Sequence, residues 1–109
     1  MAYIKVLEQA ELPANKMAMV NVGGKEVLLA NVDGTYYALA NKCTHLGGSL
    51  VKGTLEGRII TCPKHGAQFD VTTGKAVGNA RVAFIKMPVK DEEVYRVKVE
   101  GTSIFVEIP

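Results

Sequence analysis

The sequence predicts an all-β protein, an antiparallel sandwich or barrel. Three observations carry that expectation: short β-rich runs separated by glycine turns, no sustained helical period anywhere, and eleven glycines spread over 109 residues. Several short strands must close on themselves or stack to bury their apolar faces.

Element by element, the chain opens with Tyr3 to Glu11, whose pattern fits a strand or a helix equally well. From Lys16 to Ala40 the reading is firm. Met17 to Val22, Glu26 to Val32 and Thr35 to Ala40 are separated by Gly23-Gly24 and Asp33-Gly34. Such pairs accept the positive φ of tight hairpin turns, so three antiparallel strands are expected. A further strand is expected over Arg58 to Thr61. Val77 to Lys86 fits either a strand or a loop packed beneath the central segment. At the C-terminal end Val94 to Val99, a Glu100-Gly101 turn and Ile104 to Ile108 read as a closing hairpin with one wet face.

The length suits one domain, residues 1–109, with no room for a second, catalytic one. Apolar residues make up 48% and charged residues 22%, the balance of an ordinary globular protein. The net charge of +2 is spread as single lysines and glutamates, with Lys90-Asp91-Glu92-Glu93 the densest mixed run. No one-signed stripe is present, which argues against nucleic-acid binding. No run of eighteen apolar residues occurs, and no membrane span is expected. The opening residues lack a basic region followed by an apolar stretch, so no signal peptide is read and a cytoplasmic location is expected. In a reducing compartment two cysteines serve more often as metal ligands or reactive thiols than as a disulfide.

All the cysteines and histidines fall in two short clusters, Cys43-Thr44-His45 and Cys62-Pro63-Lys64-His65. Each follows an expected strand, so two loops from neighbouring hairpins could meet at one tip. Gly47-Gly48 and Gly66 flank them, which suits backbone that approaches a bound object closely and leaves its N–H groups free to point at it. Three readings are open. The four residues could be a coincidence of buried thiols and core histidines. They could form a structural zinc site, since zinc accepts thiolate and imidazole in a closed tetrahedron. Zinc fingers, however, group cysteines together and histidines together, whereas each loop here brings one of each. The third reading uses that mixing: in a Rieske [2Fe–2S] centre two histidines replace two cysteines on one iron.

Cys43-Thr44-His45-Leu46-Gly47-Gly48 and Cys62-Pro63-Lys64-His65-Gly66-Ala67-Gln68-Phe69-Asp70 resemble the two cluster-binding boxes of Rieske proteins. In particular they are similar to the small Rieske ferredoxins of bacterial ring-hydroxylating dioxygenases, and the likeness extends from Val32 to the terminal hairpin. The resemblance implies a Rieske-like antiparallel β framework with a cluster-binding region at about 41–74. It also implies one [2Fe–2S] cluster per chain, with Cys43 and Cys62 on the buried iron and His45 and His65 on the outer one. Leu46 and Pro63 would shield it from water, and Gly47, Gly48, Lys64, Gly66, Ala67 and Phe69 would surround it. Lys64, between two ligands, would favour the reduced state or meet an acidic partner.

Members of the respiratory bc type carry a disulfide between positions matching Gly48 and Lys64, and a serine and a tyrosine matching Ala67 and Phe69. This chain has none of these. Hydrogen bonds from those hydroxyls stabilise the reduced cluster, so their loss implies a potential at the low end of the Rieske range. A terminal oxygenase needs two more histidines and a carboxylate for a mononuclear iron, and no histidine is left for them. The resemblance therefore implies no catalytic residues and a monomeric one-electron carrier, with a flavoprotein reductase as donor and a terminal oxygenase as acceptor. The alternative is a small subunit held permanently in a larger reductase, such as an assimilatory nitrite reductase.

Overall fold

The computed structural model describes residues 2–42, 48–64, 66–78, 80–82, 85–87 and 90–108. Its strands, in chain order, are β1 (Ala2–Glu8), β2 (Met17–Val22), β3 (Lys25–Val32), β4 (Thr35–Ala40), β5 (Thr54–Glu56), β6 (Ile59–Thr61) and β7 (Gln68–Asp70). They continue as β8 (Ala76–Gly78), β9 (Ala80–Val82), β10 (Ile85–Met87), β11 (Val94–Tyr95), β12 (Val97–Glu100) and β13 (Ser103–Ile108). Two short 3₁₀ turns, Gln9–Glu11 and Leu50–Lys52, complete the elements. Among the described residues no helix is long and apolar enough to cross a membrane.

The two N-terminal hairpins form as the sequence predicts. Strand β2 pairs with β3 from Met17 opposite Ala30 to Val22 opposite Lys25, and β3 pairs with β4 from Val27 opposite Ala40 to Val32 opposite Thr35. Gly23 and Gly24 stand at φ 57° and 82°, and Asp33 and Gly34 at 51° and 93°. Positive φ at both central residues is the turn whose twist matches that of the flanking strands.

Every residue of β3 from Val27 to Asn31 is buried. The strand alternates between two apolar layers: Leu28 and Ala30 face one, Val27 and Leu29 the other. A strand covered on both faces carries a continuous apolar run instead of an alternating one. The sheet β11-β4-β3-β2 is thus the middle of the molecule. On one face lie Leu12, Ile104 and Val106, with the sheet β1-β13-β12. On the other lie Leu50, Ile60, Cys62, Ala67, Phe69 and Val71, with the sheet β5-β6-β7-β8.

Three expectations are refined. The single strand expected over Val94 to Val99 is broken at Arg96. Val94 and Tyr95 pair with Leu39 and Ala38 of β4, whereas Val97–Glu100 pairs with β13. The chain turns a corner there and passes from one sheet to the next, a common device at the edge of stacked sheets. Tyr3 to Glu11 resolves into β1, paired with β13 from Ala2 opposite Ile108, followed by a 3₁₀ turn. Within Val77 to Lys86, β8 extends the four-stranded sheet beside β7, and β9 and β10 form a separate hairpin. Residues 79, 83 and 84 lie outside the described residues.

Candidate metal centre

The second box is a tight turn between β6 and β7. Strand β6 delivers Cys62, whose N–H donates to the carbonyl of Ala67 at 2.7 Å, and the N–H of Gly66 returns to the carbonyl of Cys62 at 3.1 Å. Gly66 takes φ 74°, a conformation open to glycine at no steric cost. The expectation that backbone N–H groups here are free to meet a bound group is therefore corrected at two positions: those of Cys62 and Gly66 are spent within the turn. Cys62 is 2% exposed and shares an apolar layer with Leu50, Ile60, Ala67 and Phe69. Pro63 and Lys64 face solvent.

The first box leaves β4 at Asn41 and returns at Gly48, and its base is closed by an antiparallel bridge between Lys42 and Ser49. A side-chain carbon on Gly48 would stand 2.9 Å from the Cys62 sulfur and 3.4 Å from Cβ of Lys64. The two boxes therefore meet, and bare backbone is what fits beside the thiol. The first box does not, however, come from a hairpin neighbouring the second: it joins the middle sheet to β5.

Of the four expected ligands, Cys62 is described. Cys43, His45 and His65 lie outside the described residues, as do Leu46 and Gly47. Gly48, Pro63, Lys64, Gly66, Ala67 and Phe69 all lie on or beside the turn that carries Cys62, or against it. A buried thiol with unobstructed backbone facing its sulfur is a donor and cradle that an iron–sulfur cluster fits.

Asp70, at the end of β7, closes the far side of the same sheet. It accepts from the Thr72 hydroxyl at 2.6 Å and the Thr72 N–H at 2.9 Å, and pairs with Arg58 at 3.1 Å. Burial pushes its carboxyl up, but the Thr72 bonds and the Arg58 charge together hold it below its ordinary value of 3.8.

Sequence reasoning missed Asn41. It is 1% exposed, and its side chain reaches Ser49, Val51 and Glu26. An asparagine at a strand end just before the first Cys and His cluster, able to bond nearby backbone, was the signal available.

The Rieske [2Fe–2S] domain model matches residues 2–88. The ferredoxin component of the naphthalene 1,2-dioxygenase/salicylate 5-hydroxylase systems of Ralstonia sp is 38% identical over 98 residues, covering 90% of this chain and 88% of the relative. Among solved structures, the ferredoxin of carbazole 1,9a-dioxygenase from Nocardioides aromaticivorans IC177 superposes with a TM-score of 0.84 at 28% identity, over 97% of each chain. A complex of reduced oxygenase and oxidized ferredoxin in carbazole 1,9a-dioxygenase contains a chain with a TM-score of 0.81 at 30% identity, over 95% of this chain and 91% of that one. These relatives are electron carriers within multi-component systems and not catalysts, and the same role is assigned to this chain. With a Rieske-type [2Fe–2S] cluster as its cofactor, the chain belongs to the Rieske [2Fe–2S] family.

Proposed function

We propose that Cys43 and Cys62 bind the inner iron and His45 and His65 the outer one, in a segment of about residues 41–74 within a single domain of 109 residues. The chain takes single electrons from a flavoprotein reductase and passes them to a terminal oxygenase, at low potential and in the reducing cytoplasm that suits thiolate ligands. The observation that carries this reading is the burial of Cys62 against bare backbone at Gly48.

When bound, the cluster supplies reversible one-electron chemistry. Leu50, Ile60, Ala67 and Phe69 keep water from the Cys62 side. Ala67 and Phe69 offer a methyl group and a ring where a hydroxyl would stabilise added negative charge, and the Cys62 N–H is already committed to Ala67. Fewer donors leave the reduced state less stabilised, which lowers the potential. The carbazole ferredoxin found with its oxygenase supports an acceptor of the same class here.

Two measurements test the reading. Potentiometric titration followed by EPR is expected to give a midpoint between about −150 and 0 mV. A value above about +100 mV, still inside the Rieske range, would overturn the low-potential assignment. Alanine at Cys43, His45, Cys62 or His65 is expected to abolish the reddish-brown spectrum, and a variant that keeps the full signal removes its residue from the ligand set.

A further inference from the structure

We propose that Asn41 is a positioning residue, one that fixes the first ligand loop and through it the electronic properties of the cluster. The inference rests on the assignment of Cys43 and His45 as ligands.

Five hydrogen bonds converge on this residue. Its backbone N–H donates to the Glu26 carbonyl at 3.1 Å, and its carbonyl accepts the Leu50 N–H at 2.8 Å. Its side-chain Nδ2 donates to Ser49 Oγ at 2.9 Å and to Glu26 Oε1 at 3.3 Å, and its Oδ1 accepts the Val51 N–H at 2.9 Å. One amide thus joins strand β3 to both ends of the loop that begins at Lys42 and returns at Ser49. The return passes through Gly48, the residue lying against the Cys62 sulfur. Buried and fully bonded, the amide allows the loop base one arrangement, and a half-satisfied version would leave costly orphans. A shift at this base moves Gly48 relative to Cys62 and the start of the segment carrying Cys43 and His45.

The same hairpin supplies a matched control. Asn31, near the other end of β3, is 4% exposed, donates to the Leu12 carbonyl at 2.9 Å and accepts the Gly34 N–H at 2.7 Å. It is a comparably buried amide whose side chain makes two hydrogen bonds to the three of Asn41, but it holds the Asp33-Gly34 turn and not a ligand loop. A purely structural role at Asn41 would make the two residues equivalent.

The test compares Asn41→Ala with Asn31→Ala in the cluster-loaded protein. Both are expected to lower the melting temperature. Only Asn41→Ala is expected to broaden the EPR lines of the reduced protein, shift the midpoint potential and speed cluster loss to a chelator by about tenfold or more, the usual cost of removing a support to a metal ligand. A wild-type potential and line shape in Asn41→Ala, or an equal shift in Asn31→Ala, overturns the proposal. If Asn41→Ala does not fold, Ser49→Ala, which removes one acceptor of the amide, is expected to shift the potential in a smaller degree. No shift in Ser49→Ala then overturns it. Cys43→Ser separates this proposal from the one beneath it. Retention of the native spectrum there defeats the ligand assignment, whereas its loss together with equivalent asparagine variants defeats the role of Asn41 alone.

Discussion

The two apolar layers on either side of β3 and β4 are built differently. The layer beneath β13 rests on strands of six to eight residues: Val22 from β2, Val27 and Leu29 from β3, Ile104 and Val106 from β13. The layer containing Cys62 takes Leu28, Ala30 and Leu39 from β3 and β4, but its outer wall is β5, β6, β7 and β8, each of three residues, with loops between them. Three-residue strands contribute few ladder bonds, and a small sheet of them gains its stability from packing and from whatever its loops hold. The difference separates a scaffold that its strand pairing supports from a layer of short strands that leans on packing and on what its loops hold. Loops on such a layer can be shaped around a bound group while the long strands keep them in place.

The largest test of that division is to remove the cluster, by reductive chelation or by Cys62→Ser. Metal binding energy is folding energy for segments that depend on it. Amide exchange over Ile59–Thr61 and Gln68–Asp70 is expected to lose most of its protection, while Met17–Val22 and Ser103–Ile108 keep theirs. Equal loss in both layers would break the comparison.

A matched pair of core truncations sharpens it. Phe69 and Ile104 are both fully buried, one in each layer. Phe69→Ala is expected to cost about 3–5 kcal/mol and Ile104→Ala about 2–5 kcal/mol in denaturant unfolding. Against a total of roughly 5–15 kcal/mol, either is severe. Only Phe69→Ala is expected also to hasten bleaching of the visible spectrum, since it opens space in the layer that holds Cys62.

The smallest effect concerns Asp70, which pairs with Ile59 at the end of β6 away from Cys62. Because its folded pKa lies below its ordinary value of 3.8, its contribution is complete above that pH and is lost as pH falls through the folded value. Asp70→Asn is expected to destabilise by about 1–3 kcal/mol at neutral pH. The gap from the wild type should narrow as unfolding is measured toward pH 3, with the potential unchanged throughout.

Local features were legible in short segments of the chain. Gly23-Gly24 and Asp33-Gly34 dictated two hairpins, because positive φ at adjacent positions leaves the chain few other turns. The mixed Cys and His pairs pointed to the Rieske family, because residue types and spacing are properties of short segments. Features that depend on distant residues were set by the packing of the folded layers. The fate of Tyr3 to Glu11 was settled by β13, some hundred residues away, through pairs such as Ala2 with Ile108. The break at Arg96 reflects two sheets competing for one run of chain, which no periodicity records. The close approach of Gly48 to Cys62 and the five bonds at Asn41 arise where segments far apart in sequence are brought together by packing. Local propensity specifies each turn and local spacing each Cys and His pair, whereas the mutual placement of the segments is a property of the folded layers.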